Sequence, residues 1–173
     1  MCSASQTNPA APQRVGLALG SNRGDRLALL EQACDALSEL FGSLRLSQVY
    51  ETEPVDCPAG SPPFLNACVE VYTTLPPLQV LHACQRIEQE LGRERSGVYG
   101  QARTCDIDLI YYGTQQLSTP ELTLPHPRAH LRRFVLQPLC DIDPALTLPG
   151  QAKSAAQLLA ELPENPPVRP FDL

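Results

Sequence analysis

Hydrophobic periodicity changes along residues 15–112 in an order that few folds can satisfy. In four segments apolar residues alternate with small or polar ones, which predicts β-strands, and in two longer segments they recur every three or four residues, which predicts helices. The predicted strands cover residues 15–20, 44–53, 65–74 and 104–112, and the predicted helices run from 26 to 41 and from 77 to a stop at Gly92. The order β-α-β-β-α-β predicts an α+β ferredoxin-like sandwich, with a mostly antiparallel four-stranded core sheet, helices on one face and short C-terminal additions. The other face of the sheet would be open to a ligand.

The remaining segments are predicted to extend one domain. Residues 1–13 are small and polar and are expected to form a disordered leader, and residues 163–173 form a proline-rich tail. Between them, residues 14–162 are predicted to form a single domain that ends in two short helices, at 129–139 and 152–162. A length of 173 residues with 43% hydrophobic residues fits one unit with one core, which excludes a wholly disordered chain.

The net charge and the cysteine pattern limit which binding partners and which cellular compartment we expect. The formal net charge of −6 argues against a general affinity for nucleic acid or for anionic membranes, and no apolar run approaches the roughly 18–20 residues of a membrane-spanning helix. No apolar signal segment is visible near the N-terminus, and the seven cysteines contain no C-x-x-C pair. We therefore expect a cytoplasmic protein, a monomer with reduced thiols, that acts on small molecules.

Two aspartates, Asp106 and Asp108, lie in the last predicted strand as D-I-D. Alternate side chains of a strand share a face and lie about 6.5–7 Å apart along the chain, so both carboxylates point to one side while Cys105, Ile107 and Leu109 point into the core. Two such carboxylates repel unless a cation lies between them, and Mg²⁺ is typically held by one or two carboxylates plus substrate phosphates. The pair alone is compatible with a magnesium site, and the arginines described next are what favour that interpretation. The alternative is an ordinary solvated strand face.

Arginines bracket this acidic pair. Twelve of the thirteen basic residues are Arg, and the one lysine, Lys153, does not follow a glycine-rich turn, which excludes a P-loop. The bracketing arginines are Arg93, Arg95 and Arg103 upstream and Arg128, Arg132 and Arg133 downstream, the last three next to His126. Carboxylates that hold a metal and guanidinium groups that hold phosphate oxygens suit a metal–polyphosphate complex. The alternative is that each arginine pairs with a surface carboxylate.

Seven short motifs occur in an order that matches one enzyme family. They are L-A-L-G-S-N at 17–22, P-F-L-N-A at 63–67, Q-R-I-E at 85–88, G-R-x-R at 92–95, R-T-x-D-I-D-L-I at 103–110, L-T-L-P-H-P at 122–127 and R-x-F-V-L-x-P-L at 132–139. From about Val15 to Leu162 the chain resembles the 6-hydroxymethyl-7,8-dihydropterin pyrophosphokinases of folate biosynthesis. The resemblance implies a ferredoxin-like fold and the use of ATP with two Mg²⁺ ions. It also implies transfer of pyrophosphate to the pterin hydroxymethyl group, with release of AMP.

The resemblance implies roles for three groups of residues. The metal and catalytic group would comprise Asp106 and Asp108, which hold both magnesium ions, together with Arg95 and Arg103. The pterin would be held by Thr52, Val55, Phe64, Asn66 and Phe134, with the two phenylalanines on either side of the ring. The nucleotide site would comprise Gln85, Glu88, Arg93, Arg95, Arg103, Leu109, Thr123, His126 and Arg132. The chain departs from the family pattern at residues 99–103, Y-G-Q-A-R, where a tryptophan is common, and at Pro127, where an aromatic residue sometimes occurs.

Two other classes of protein fit part of the pattern. Nucleotidyltransferases also combine G-S with D-x-D, but there the two motifs lie within one helix and strand of each other, whereas Gly20-Ser21 and Asp106 are separated by most of the predicted domain. Release of AMP, rather than its transfer, distinguishes the two reactions. A ferredoxin-like binding module would leave the acidic pair as a surface feature and predicts no Mg²⁺-dependent turnover of ATP.

Overall fold

The structure, a computed structural model, describes residues 11–54, 60, 62–95 and 105–173, and at residues 93–95 it describes the helical backbone alone. Its strands are β1 (Gln13–Ser21), β2 (Arg45–Leu46), β3 (Tyr50–Thr52), β4 (Phe64–Thr73), β5 (Asp106–Tyr112), β6 (Leu117–Ser118), β7 (Thr123–Leu124) and β8 (Val168–Pro170). Its helices are α1 (Arg26–Phe41), α2 (Pro77–Arg95), a 3₁₀ turn (Ala129–Leu131), α3 (Arg133–Ile142) and α4 (Ala155–Glu161). Most of the predicted leader, Val55, Arg103 and the side chains of Arg93 and Arg95 lie outside the described residues.

One antiparallel sheet organises the described chain, which confirms the α+β class. Its strand order is β5-β1-β4-β3-β8, and β2 also pairs with β4. All of these pairings are antiparallel. The sheet therefore has six strands in the described residues instead of the four predicted, because the predicted strand 44–53 is divided into β2 and β3 and because β8 adds an edge strand from the predicted tail.

The two helices of the predicted core, α1 and α2, lie on one face of the sheet, and α3, one of the C-terminal additions, covers part of the face that was expected to be open. On the first face, α1 and α2 pack over a core that includes Leu17, Leu29 and Ile107. On the second face, α3 packs over a separate cluster that includes Cys68, Tyr111 and Leu139. A β-bulge explains how β5 serves both cores: Gly16 pairs with Tyr111 and Leu17 with Leu109, so that Ile110 is an extra residue and joins Tyr111 in the second cluster.

Three helix predictions differ from the structure at their ends. The helix that begins at Pro77 continues through Gly92 to Arg95, since a glycine inside a helix costs only about 1 kcal/mol and need not end it. The predicted helix 129–139 is a 3₁₀ turn followed by α3, which extends to Ile142. The predicted helix 152–162 is shortened to α4, because Ser154 and Gln157 form a reciprocal capping box at its start.

The described helices include none that is both long and apolar enough to cross a bilayer.

Candidate active site

A cavity of about 600 Å³ opens on the second face of the sheet, beside the start of α3. This volume is within the range of small-molecule sites, about 300–1,000 Å³. We call it the site cavity. The predicted site residues that line it are Thr52, Phe64, Asn66, Asp106, Asp108, Arg132 and Phe134. The second face is therefore open to a ligand only where α3 does not cover it.

The register of three strands positions the polar side chains on the cavity floor. Gly20 of β1 pairs with Asp106 of β5 on one side and with Asn66 of β4 on the other. Two residues further along, Ala18 lies opposite Asp108. A Cβ atom at Gly20 would lie only 3.2 Å from Asn66 Oδ1. Small residues on β1 thus leave room between the amide on one side and the two carboxylates on the other.

The amide of Asn66 is held by a neighbouring strand. Asn66 is buried, and its Nδ2 donates a hydrogen bond of 2.6 Å to Oγ1 of Thr52, which is also buried. This bond fixes which way the amide points and uses one of its two N–H groups. The carbonyl Oδ1 and the second N–H of Asn66 are then oriented for a ligand that presents both an acceptor and a donor.

The acidic pair has the exposure that the strand pattern predicts. Asp106 and Asp108 are exposed, whereas Cys105, Ile107 and Leu109 are no more than 4% exposed. Within the described residues, no group of three or more His, Cys, Asp or Glu side chains is arranged to hold a metal ion. Two oxygen ligands without a third protein side chain do fit Mg²⁺, which keeps several positions for water and phosphate.

Arginines line the side of the cavity formed by α3 and the segment before it. Arg128, Arg132 and Arg133 all line the cavity. The guanidinium of Arg132 lies 5.5 Å from the centroid of the Phe134 ring, within cation–π range. Arg133 donates a hydrogen bond of 3.3 Å to the carbonyl of Leu159 and so also links α3 to α4. The cavity therefore has carboxylates on its floor and guanidinium groups on its wall, which suits a complex of a cation with an anion.

His126 lies close to this charged region but is not among the cavity-lining residues. Burial lowers the pKa of His126, and the positive charges of Arg132 and Arg128 add to this effect, while Asp108 opposes it. Its Nδ1 accepts a hydrogen bond of 3.1 Å from the backbone N–H of Arg128. A neutral ring whose Nδ1 accepts must carry its proton on Nε2, so His126 can donate one directed hydrogen bond.

Four other predicted nucleotide-site residues lie outside the cavity lining. The side chain of Leu109 is 4% exposed and packs in the first core, so only its backbone could contact a ligand. Gln85 on α2 and Thr123 on β7 are exposed. Glu88 on α2 is half-buried, and α2 packs against β5. Burial, and then the charges of Glu88 and Asp108, raise the pKa of the Cys84 thiol to about 12.

Some cavity-lining residues were not assigned to a site by the sequence. Arg128 and Arg133 stood out as part of the arginine bracket, yet no motif gave either one a role. Glu53, Leu131 and residues 162–168 gave no signal at all, although Leu162, Pro163, Asn165, Pro166 and Val168 line the cavity. These residues reach the cavity through tertiary packing, which cannot be predicted from a local sequence pattern.

Comparison with known proteins gives a consistent family. The sequence model of the 7,8-dihydro-6-hydroxymethylpterin-pyrophosphokinase (HPPK) family matches residues 16–144. The chain is 41% identical over 128 residues to a 2-amino-4-hydroxy-6-hydroxymethyldihydropteridine pyrophosphokinase of Bacillus subtilis, covering 73% of this chain and 75% of the relative. It is 39% identical over 153 residues to the protein of that name from Pseudomonas aeruginosa, covering 87% and 93%.

Solved structures show the same fold at much lower sequence identity. A crystal structure of Plasmodium falciparum HPPK-DHPS superimposes with a TM-score of 0.70 at 16% identity over 90% of this chain. Another HPPK-DHPS structure, determined in complex with substrates, gives a TM-score of 0.69 at 15% identity over 87% of this chain. The chain spans less than half the length of these two proteins, 46% and 43%.

Proposed function

The chain belongs to the 7,8-dihydro-6-hydroxymethylpterin-pyrophosphokinase family, and we propose that its transfer of pyrophosphate, from ATP to the hydroxymethyl group of 6-hydroxymethyl-7,8-dihydropterin, takes place in the site cavity. The observation that carries this proposal is the convergence of two unlike groups on one sheet face. The amide of Asn66, held by Thr52, suits a heterocycle, and the carboxylates of Asp106 and Asp108 suit a cation. Asn66 and Asp106 lie on either side of Gly20, and Asp108 lies opposite Ala18.

The pterin occupies the end of the cavity next to β3 and β4. Phe64 and Phe134 both line this cavity, and they hold the flat ring between them by aromatic stacking. Asn66, oriented by Thr52, reads the amide-like edge of the ring with its remaining acceptor and donor. Val55, which lies outside the described residues, also contributes to pterin binding.

Asp106 and Asp108 hold two Mg²⁺ ions together with the phosphates of ATP. Support comes from their exposure on one face and from the small residues Gly20 and Ala18 beside them. When bound, magnesium neutralises charge on the phosphate oxygens and aligns the reacting groups.

Arginines and polar residues hold the nucleotide. Arg132, at the cavity, binds phosphate oxygens. Arg93 and Arg95, in the last turn of α2, and Arg103, in the segment between α2 and β5, also bind the nucleotide, with Arg95 and Arg103 acting in catalysis. Neutral His126 donates a hydrogen bond from its Nε2–H to the nucleotide. The site is completed by Gln85, Glu88, Thr123 and the backbone of Leu109.

The reaction exchanges one phosphorus–oxygen bond for another. The pterin hydroxyl oxygen forms a bond to the β-phosphorus of ATP and loses its proton to solvent, and the bond from the β-phosphorus to the oxygen bridging to the α-phosphorus breaks, which releases AMP. The described residues contribute mainly by positioning: the pterin pocket fixes the alcohol, and the carboxylates and arginines fix the triphosphate. Such alignment supplies a large share of the rate enhancement in phosphoryl transfer.

We further propose that β5, β1, β4 and β3 form a ferredoxin-like core, to which β2 and β8 are additions. The antiparallel order β5-β1-β4-β3 supports this assignment. The protein acts as a cytoplasmic monomer. Support for a reducing compartment comes from the five cysteines of the described residues, all of which are free thiols.

The test is a product assay with ATP, Mg²⁺ and 6-hydroxymethyl-7,8-dihydropterin. We expect AMP to form only when the pterin alcohol is present and Mg²⁺ has not been removed by EDTA. Formation of ADP would indicate an ordinary kinase, and AMP attached to the acceptor would indicate a nucleotidyltransferase. No turnover, with pterin binding retained, would favour a binding module.

A further inference from the structure

The C-terminal segment is anchored on the sheet beside the pterin end of the cavity. Strand β8 pairs with β3, with Val168 opposite Thr52 and Pro170 opposite Tyr50. The backbone N–H of Phe171 extends the pairing with a hydrogen bond of 2.8 Å to the carbonyl of Val49. The predicted tail therefore includes an edge strand of the main sheet.

The strand register makes Val168 a neighbour of the residues proposed to hold the pterin. Thr52 pairs with Val168 on one side and with Phe64 on the other, so the three residues form one row across β8, β3 and β4. Directly opposed residues of antiparallel strands have Cβ atoms about 4.5–5.5 Å apart and point to the same face. All three side chains line the site cavity. Val168 thus lies next to the Thr52 hydroxyl that orients the Asn66 amide.

The residues before β8 continue this surface. Leu162, Pro163, Asn165 and Pro166 line the same cavity as Phe64 and Phe134. Their path is held at the start by the end of α4, where the N–H of Leu162 bonds to the carbonyl of Leu159 at 3.2 Å. It is held at the end by the pairing of β8 with β3.

Arg26 connects this segment to the strand that carries Phe64. Its guanidinium lies 5.8 Å from the centroid of the Phe171 ring. The same group donates a 2.8 Å hydrogen bond to the carbonyl of Pro63 and lies 3.0 Å from Glu51 Oε2. Pro63 immediately precedes β4, so the end of the chain and the start of β4 are fixed to one side chain.

We propose that residues 162–168 form a wall of the substrate cavity, the C-terminal wall, and that Val168 is a specificity-determining residue that sets how closely the pterin ring fits. The proposal rests on the proposed function, because it assumes that the pterin lies next to Thr52 and Asn66. Besides Asn165, the cavity-lining residues of this wall are two prolines, a leucine and a valine, which offer apolar contact to a ring edge. The fixed backbone on both sides keeps that contact at a constant distance. Val168 therefore contributes to pterin binding and not to ATP binding.

The test compares two neighbouring residues of β8 that face opposite ways. Val168 is half-buried and lines the cavity, whereas Arg169 is exposed and does not line it. Val168→Ala enlarges the cavity and Val168→Leu reduces it, and Arg169→Ala is the matched control. For each variant we would measure the Kd for the pterin by fluorescence titration, the KM for pterin and for ATP, kcat for AMP release, and the thermal melting temperature.

We expect both Val168 variants to raise the pterin Kd and KM by about tenfold, the lower end of the range for one methylene added to or removed from an apolar pocket. The KM for ATP should stay within about twofold, and Arg169→Ala should resemble the wild type. If both Val168 variants melt normally and bind pterin normally, or if pterin and ATP constants change equally, the C-terminal wall has no role in specificity. A wild-type protein that releases no AMP would instead overturn the proposed function, so the two failures are distinguishable.

Discussion

At the residue scale, the exposed acidic pair gives the sharpest prediction. Under the proposed function, Asp108→Asn should lower the rate of AMP release about 10³-fold or more, because it removes one of the two carboxylate charges that would hold magnesium against the triphosphate. The fold should persist, since the side chain of Asp108 is exposed and its core neighbours Ile107 and Leu109 are unchanged. AMP release and thermal melting without metal would be measured in parallel.

A control for this variant is Asp35→Asn, which removes an exposed carboxylate on α1. It should leave turnover unchanged. Near-normal AMP release by Asp108→Asn would remove the metal site from the proposed function, and a collapsed melt in the absence of metal would make Asp108 structural.

His126 gives a prediction with a defined pH direction. Burial lowers the pKa of His126 below its ordinary value of 6.5, so the unfolded chain binds this proton at a higher pH than the folded chain does. The stabilising contribution is complete above the unfolded-state pKa of about 6.5 and is lost as pH falls from there toward the lower folded-state pKa. We expect the unfolding free energy of the wild type, relative to His126→Gln, to be larger at pH 7.5 than at pH 5.5.

Urea unfolding at the two pH values measures this difference, and NMR titration of the His126 ring in metal-free protein locates the pKa directly. A midpoint at or above 6.5 would mean that the charge of Asp108 outweighs burial and the two arginines.

At the scale of elements, α3 is joined to the sheet by a buried ionic cluster. The Glu70 carboxylate on β4 is fully buried, and its Oε2 accepts hydrogen bonds from Arg14 Nε at 2.5 Å and from Tyr111 Oη at 2.7 Å. Arg14 also reaches Asp143 Oδ2, at the end of α3, at 3.0 Å. Arg45 lies 3.7 Å from Glu70 Oε1 and donates to the carbonyl of Ile142 at 2.8 Å. This cluster fixes the C-terminal end of α3. The N-terminal end of α3 lines the site cavity.

Removal of one charged side chain from that cluster should lower the free energy of unfolding. Arg14→Met leaves the buried Glu70 charge without its closest cation and should destabilise the fold by about 3 kcal/mol. Adding Glu70→Gln removes the charge, so the double variant should recover part of that loss. Equal unfolding free energies for Arg14→Met and the wild type in denaturant titrations would show that Arg45 alone compensates Glu70.

Long helices and strands that bury one face could be predicted from the sequence. Short strands that form only by pairing with a distant part of the chain could not. The bounds of α1 are those predicted, and β1, β4 and β5 agree within two residues, because their apolar positions repeat with a clear period. Strands β2, β3 and β8 have two or three residues each, too few for any period to show. The burial of Glu70 was not predictable either, since alternation assigns it to a polar face, which α3 covers in the folded chain.

The candidate site divides in the same way. Asp106, Asp108 and Asn66 lie on regular strands, so period and motif place them on one face. Val168 reaches the cavity because β8 pairs with β3, and Arg133 reaches it because α3 packs on β4. Neither contact can be predicted from a local sequence pattern.

At the scale of the whole molecule, the two cores share one sheet. Strands β1, β4 and β5 contribute to the cluster under α1 and α2 and also to the cluster under α3. If either cluster is lost, one face of these strands is exposed to water, and the other cluster is built on the same strands. We therefore expect the described chain to unfold as a single cooperative unit and not as two layers in sequence.

Two buried cysteines report on the two cores separately. Cys84 on α2 belongs to the first cluster and Cys68 on β4 to the second, and both are 0% exposed. Burial raises the pKa of the Cys84 thiol to about 12, and burial likewise raises that of Cys68. Since the thiolate is the reactive form, neither should react with iodoacetamide at pH 8 until the protein opens.

Alkylation at increasing urea concentration, followed by mass spectrometry of the peptides, then measures the opening of each core. The logarithm of the alkylation rate should rise with the same urea dependence for Cys68 and Cys84, because only opening of the shared sheet exposes both. Cys140 on α3 is only partly buried and serves as a thiol that needs less opening to react. If Cys68 became reactive at clearly lower urea than Cys84, α3 would detach from the sheet before the rest unfolds. The cavity wall formed by α3 would then be an independently mobile part of the site, and the ionic cluster around Glu70 would be too weak to couple the two cores.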